Sequence, residues 1–311
     1  MFLATSYNRP KLDTDAVWNP NGITFFSSGA IPWGISVNTN NQIFVVLQSS
    51  SEIYLWLNES TNPTRIVFSG LNRPASVFVV SNGDIYIDNG YSNGRIDQWI
   101  LNTNRFVPQM YVGGSCFGLF LDVNNSLYCS INNLHRVVKK LLNDSSSVTI
   151  IIAGVGCSGS SSSMLSSPNG IFVDINLDLY VADSGNHRIQ LFKSGQFNGS
   201  TVAGNGVANT IPLNYPTGII LDEDKYLFIV DRDNHRIVGS SSNGFRCLIG
   251  CEGGGSASNQ LLYPSSMAFD NIGNIYVSDT NNRRIQKFVR LNKTLSKFDL
   301  FENSWSDIQL K

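Results

Sequence analysis

His135, His187 and His235 are the only histidines in the chain, and three imidazoles are enough in principle to hold a zinc ion. Each precedes an arginine, and His187, Arg188, His235 and Arg236 are candidate contacts for a partner. An aspartate lies five residues before an arginine three times over, as Asp183 and Arg188, Asp231 and Arg236, and Asp279 and Arg284. That spacing sets opposite charges across one short loop, where an exposed ion pair contributes about 0 to 1 kcal/mol. Cys116, Cys129, Cys157, Cys247 and Cys251 are odd in number, which leaves at least one thiol unpaired within the chain. Straight strand would hold the Cα atoms of Cys247 and Cys251 about 13 Å apart, beyond the ~7 Å reach of a disulfide, whereas a turn at Gly250 would let them bond. No Cys-x-x-Cys pair, nucleophile elbow or phosphate-cradling loop occurs.

These side chains are carried by a repeat. Six segments superpose when anchored at Pro32, Pro74, Cys116, Pro168, Pro216 and Pro264, with one residue inserted in the second. Three and five residues after the anchors stand two wholly apolar columns, Ile35, Val77, Leu119, Ile171, Ile219, Met267 and Val37, Val79, Leu121, Val173, Leu221, Phe269. A spacing of two marks a strand with one face buried. Further on comes an apolar, aromatic, apolar run, from Ile43-Phe44-Val45 in the first unit to Ile275-Tyr276-Val277 in the last, and an unbroken run implies cover on both faces. Cys129 falls in a column otherwise filled by Val or Ile and reads as a small buried hydrophobe. Third strands begin at Ile53, Ile96, Val137, Ile189, Ile237 and Ile285, and fourth strands are suggested in all units but the last.

Four short strands per unit and unit spacings of 42, 42, 52, 48 and 48 residues predict an all-β, six-bladed β-propeller. The blades occupy residues 21–298, between a leader, 1–20, and a tail, 299–311. The spare segment Gly22-Ile23-Thr24-Phe25-Phe26 is expected to supply the missing strand of the sixth blade and close the ring. Each histidine sits nineteen residues after its anchor, in the loop between second and third strands. Equivalent positions on successive blades are too far apart to converge on one ion, so no metal site is expected. Recurrence of the Asp and Arg columns in three blades argues for structural ion pairs that pin this loop.

Pro168-Asn169-Gly170-Ile171-Phe172-Val173-Asp174, followed by Leu179-Tyr180-Val181-Ala182-Asp183-Ser184-Gly185-Asn186-His187-Arg188-Ile189, resembles the NHL repeat nearly in full. The fifth and sixth units are close to it, and the first three keep only the apolar columns. The resemblance implies a propeller and leaves function open, since such propellers serve in ubiquitin ligases, RNA binders, receptor ectodomains and a lyase family. The peptidyl-amidating lyases that share the fold take zinc histidines from the residue after the anchor, which here is Trp33, Ala75, Phe117, Asn169, Thr217 or Ser265. None is His, which argues against that chemistry.

The residues after the anchors should ring the channel mouth, with Trp33 and Phe117 on one half and Asn169, Thr217 and Ser265 on the other. Such a rim suits a peptide or glycan, unless the two aromatics plug the axis as core. The same face carries long loops at 154–167, 204–214 and 250–262, and the serine run 158–163 is either a binding loop or a linker. The expected function is a non-catalytic scaffold for a protein or glycan, with no cofactor. The alternatives are RNA binding or ligase substrate recognition, resting on His135, Arg136, Lys139, Lys140, Arg188 and Arg236, and a cryptic metal-dependent lyase or hydrolase. A net charge of -1 with 14% charged residues gives no bulk attraction to polyanions, and no apolar run is long enough for a membrane helix. If the chain is complete as written it lacks a secretion signal and stays in the cytoplasm, yet its Asn/Ser-rich surface leans toward an extracellular setting. Asn-x-Ser/Thr sequons at Asn58, Asn124, Asn143, Asn198 and Asn292 all fall in expected loops, in a number that composition alone would produce.

Overall fold

The apolar columns become strands in the computed structural model, which describes residues 7–291 apart from 58–59, 61, 68–70, 102, 104, 146–147 and 209. Six antiparallel four-stranded sheets form, each running in chain order from inner to outer strand except the sixth. The fourth blade, for example, is Pro168–Val173, Leu179–Asp183, Arg188–Phe192 and Ser200–Gly204. Successive inner strands contact one another, and the sixth contacts the first, so the ring is closed. Second strands such as Leu179–Asp183 and Ile275–Asp279 are buried along their whole length because neighbouring blades cover both faces. Glycines let the inner strands approach closely. A Cβ on Gly118 would lie 2.5 Å from the Asn169 carbonyl oxygen of the next blade, and one on Gly170 would lie closer still to that of Thr217.

Closure uses the spare N-terminal strand. Ile23–Ser27 pairs antiparallel with Arg284–Phe288 as the outer strand of blade 6. Phe25 and Phe26 then pack on Trp56 of blade 1, with ring centroids 5.2 and 5.0 Å away, so this strand also joins the last blade to the first. The residues before it are held too. Val17–Trp18 pairs with Arg290–Leu291, and the buried Trp18 indole donates to the Gly273 carbonyl at 2.8 Å. Tyr7 enters the axis from the face opposite the entry loops and meets Phe120, Phe172 and Phe78 at 4.9, 5.2 and 6.2 Å. Burial pushes its phenol up to about 12. Asn8 and Arg9 fasten this segment by donating to the carbonyls of Asn38, Phe269, Asp222 and Glu223.

One cysteine expectation is corrected. Cys129 is not a lone buried thiol but is bonded to Cys116, because the inner hairpin pairs Cys116 with Ile131 and brings the two Cα atoms to 5.4 Å. Cys247 and Cys251 form a second disulfide, the chain turning at Gly250, whose φ is 74°. Cys157 is exposed and free.

Removing residues 1–28 strips the outer strand from blade 6 together with Trp18, and is expected to lower the melting temperature, broaden unfolding and cause aggregation through the exposed edge. Trp18→Ala alone should cost ~3–5 kcal/mol in denaturant titration. A truncated chain that melts with the parent and stays monomeric would show that closure does not depend on this strand. The tail 299–311 lies outside the described residues.

Candidate functional site

The polar residues that recur in blades 4, 5 and 6 each have a partner. Asp183, Asp231 and Asp279 are 0% exposed. Each accepts a backbone N–H from its own entry loop, from Ser166, Asn214 and Leu262 at 2.6–2.7 Å. Each also accepts from an asparagine three residues on, Asn186, Asn234 or Asn282, and pairs with Arg188, Arg236 or Arg284 at 2.7–2.8 Å. The ion pairs expected across an exposed loop are therefore centred on fully buried carboxylates, and the exposed-pair magnitude does not apply to them. The arginines reach on to entry-loop carbonyls: Arg188 to Ser160, Ser161 and Met164, Arg236 to Pro212, and Arg284 to Ser256, Ala257 and Gln260. The serine run 158–163 is thus tied to the blade at the carbonyls of Gly159, Ser160, Ser161 and Ser162.

The histidines point the other way, to the next blade. Nδ1 of His135, His187 and His235 accepts the backbone N–H of Ser167, Tyr215 and Tyr263 at 3.0–3.1 Å. The remaining basic residues of the sequence reading are dispersed: Lys139 lies 3.7 Å from Asp122 and Lys140 donates to the Gln109 carbonyl. Among the described residues no group of three or more His, Cys, Asp or Glu is placed to hold a metal ion, and no helix is long and apolar enough to cross a membrane.

A cavity of about 120 Å³ runs along the axis, with Tyr7 at its floor and Trp33, Ala75, Phe117, Asn169, Thr217 and Ser265 among the residues lining it. Trp33 and Phe117 are half-buried and meet edge to face at 5.9 Å across the small Ala75 of the blade between them. Asn169 donates to the Ser184 hydroxyl at 2.7 Å and to the Ser167 carbonyl, which leaves its Oδ1 as an acceptor. Ser265 and Thr217 donate their protons to the carbonyls of Trp33 and Pro264. Behind Ala75 lies Asp88, fully buried and accepting N–H bonds from Ala75, Cys116 and Gly90. Burial pushes Asp88 up to about 7 against the three bonds, which favour the charged form.

NHL-repeat models match residues 165–192 and 261–288, in blades 4 and 6. The chain is a six-bladed propeller with NHL repeats in two of its blades. Among curated proteins none matches it significantly. Solved structures similar to this propeller include a gluconolactonase from Xanthomonas campestris (12% identity, 94% of this chain and 97% of that one, TM-score 0.67) and an auxiliary nutrient binding protein from Bacteroides thetaiotaomicron (16%, 93% and 76%, 0.66). A virginiamycin B lyase from Staphylococcus aureus is also similar, at 13% identity over 86% of this chain and 98% of that one, with a TM-score of 0.61. At these identities the likeness is one of fold.

Two outcomes follow for the propeller's polar residues. Asp231→Ala leaves the Asn214 amide, Asn234 and Arg236 without their acceptor and should cost ~3–5 kcal/mol, against ~1 kcal/mol for His235→Ala, both read by denaturant titration. Asp88 binds its proton more tightly folded than unfolded, so its contribution to stability is full below about pH 4 and is lost as pH rises to about 7. Between pH 5 and pH 8 the parent should therefore lose stability relative to Asp88→Asn, which cannot ionise. Parallel pH profiles would contradict the assignment.

Proposed function

We propose that this NHL propeller is a non-catalytic scaffold that binds a protein or glycan at the channel mouth, between Trp33 and Phe117 on one side and Asn169, Thr217 and Ser265 on the other. The observation that carries the reading is the aromatic pair beside an open cavity that is floored by the chain's own Tyr7. Rings that are only half-buried offer apolar faces to a peptide side chain or a sugar, and the buried Asn169, Thr217 and Ser265 add a polar lining to the cavity wall beside them. The similar nutrient binding protein is compatible with such a role. The similar lyase and gluconolactonase motivate an enzymatic reading, and a His-to-Ala variant of that lyase is catalytically inactive. Here the three histidines are engaged in bonds between blades, which supports binding over lyase chemistry. RNA recognition is less favoured because Arg188 is buried and Arg236 is bonded within its own blade.

The parent and a Trp33→Ala, Phe117→Ala double variant, screened side by side on a glycan array and a peptide library, should differ at least about tenfold for the parent's best ligands, equivalent to ~1.4 kcal/mol. Equal binding by the two proteins would remove the mouth from consideration. Stoichiometric zinc or calcium in the purified protein would favour the enzymatic reading instead.

A further inference from the structure

Exposed apolar side chains gather on the outer edge of blades 3 and 4, toward the face opposite the mouth. Val148 is 70% exposed, Ile150 51% and Phe197 42%. Ile151 and Phe197 line a groove of about 210 Å³ with Leu177, Phe192 and the side chains of Lys139 and Lys193. The outer strand Ile150–Ala153 is a sheet edge without a charge or a proline, whereas the outer strand of blade 2 carries Arg105 and Pro108 and that of blade 5 carries Arg246. A bare apolar edge of this kind invites association unless something covers it.

Two sequons bracket the patch. Asn143-Asp144-Ser145 lies in the hairpin leading into Ile150–Ala153, and Asn198-Gly199-Ser200 lies in the equivalent hairpin of the next blade, directly after Phe197. Asn143, Asn198 and both of their serines are exposed. Asn143 uses its Oδ1 to accept from Asn125, a bond that leaves its Nδ2 to react. Asn124 differs, because its partner Ser126 is buried and its backbone N–H is bonded to Asp122. Asn58 and Asn292 lie outside the described residues. The two disulfides form in the same oxidising compartments in which N-linked glycans are added.

We propose that Asn143 and Asn198 are N-glycosylation sites, and that the attached sugars cover the apolar edge of blades 3 and 4, with the first sugar at Asn198 lying against Phe197. The donor is a lipid-linked oligosaccharide pyrophosphate. The asparagine Nδ2 attacks the anomeric carbon, the N–C bond forms, the C–O bond to the pyrophosphate breaks, and one amide proton is lost. A pyranose then presents its C–H face to the ring and its hydroxyls to water, which makes an exposed Phe197 useful where a bare aromatic would be a liability.

The test uses the full chain secreted from a eukaryotic cell line. Enzymatic release of the glycans converts each occupied Asn to Asp, and peptide mass spectrometry should find that signature at Asn143 and Asn198 and little of it at Asn124. Release from the folded protein should raise binding of an apolar dye severalfold and promote self-association, and an Asn143→Gln, Asn198→Gln variant should behave alike. Adding Ile151→Lys to that variant should restore low dye binding. Unmodified Asn143 and Asn198 would overturn the proposal, as would glycans whose removal leaves dye binding unchanged. The mouth variant Trp33→Ala, Phe117→Ala should be glycosylated like the parent, so this inference and the binding function fail separately.

Discussion

One bond recurs at four of the six seams between blades and fixes how each next blade is entered. A residue in the left-handed region ends the turn after the second strand, and its side chain accepts the backbone N–H of the residue just before the next blade's inner strand. Ser51 does this for Arg73, His135 for Ser167, His187 for Tyr215 and His235 for Tyr263. All eight residues have φ between 48° and 56°. The chain reverses there to enter the inner strand, so the amide faces the preceding blade and has no partner in its own. Pairing it contributes ~0.5–1.5 kcal/mol. The acceptor must come from a side chain of the right length, which a serine hydroxyl or an unprotonated imidazole Nδ1 supplies. Nearer the axis a second row of bonds follows the same direction, with Ser76, Ser184 and Ser265 donating to the carbonyls of Cys116, Pro216 and Trp33.

The seam explains which parts of the molecule could be read from sequence. Columns at a spacing of two, and an aromatic in every second strand, are dictated by burial between blades, so strand number and blade number were legible without coordinates. The spare strand 22–26 was legible for the same reason, as an apolar segment with no blade of its own. The five mouth residues line the cavity because they share one position in the repeat. Partners across a seam are another matter: recurrence marks a histidine as structural but does not name an amide 28 to 32 residues away in the next blade. The Cys116 to Cys129 bond needed the register of the inner hairpin, whose signal was two cysteines on its facing strands. Tyr7 and Trp18 gave no periodic signal, because each fills one cavity once.

The first three blades show that the fold tolerates several solutions to one problem. Where blades 4 to 6 use Asp, Asn and Arg in fixed order, blade 1 uses Ser51, blade 2 buries Asp88, and blade 3 holds its inner hairpin with a disulfide. In blade 2 the position of the buried aspartate is taken by Asn89, which bonds to Asp97, itself paired with Arg95. Apolar packing common to all six blades sets the architecture, and the polar devices adjust each seam locally.

The two kinds of blade also make the mouth lopsided. Before the fourth and sixth inner strands the chain crosses the upper face in the long stretches 154–167 and 250–263, and arginine side chains hold their carbonyls down. Before the third inner strand the chain spans only 112–115. Trp33 and Phe117 stand on the low side, uncovered because their blades lack a long loop, while Asn169, Thr217 and Ser265 sit beneath the high wall. Ala75, too small to separate the aromatics, lets their rings meet. On the binding reading proposed above, a partner would reach the aromatic edge first and meet the clamped loops beyond. On that reading, selectivity resides in the loop side chains and the rim, while the apolar columns between blades hold the frame.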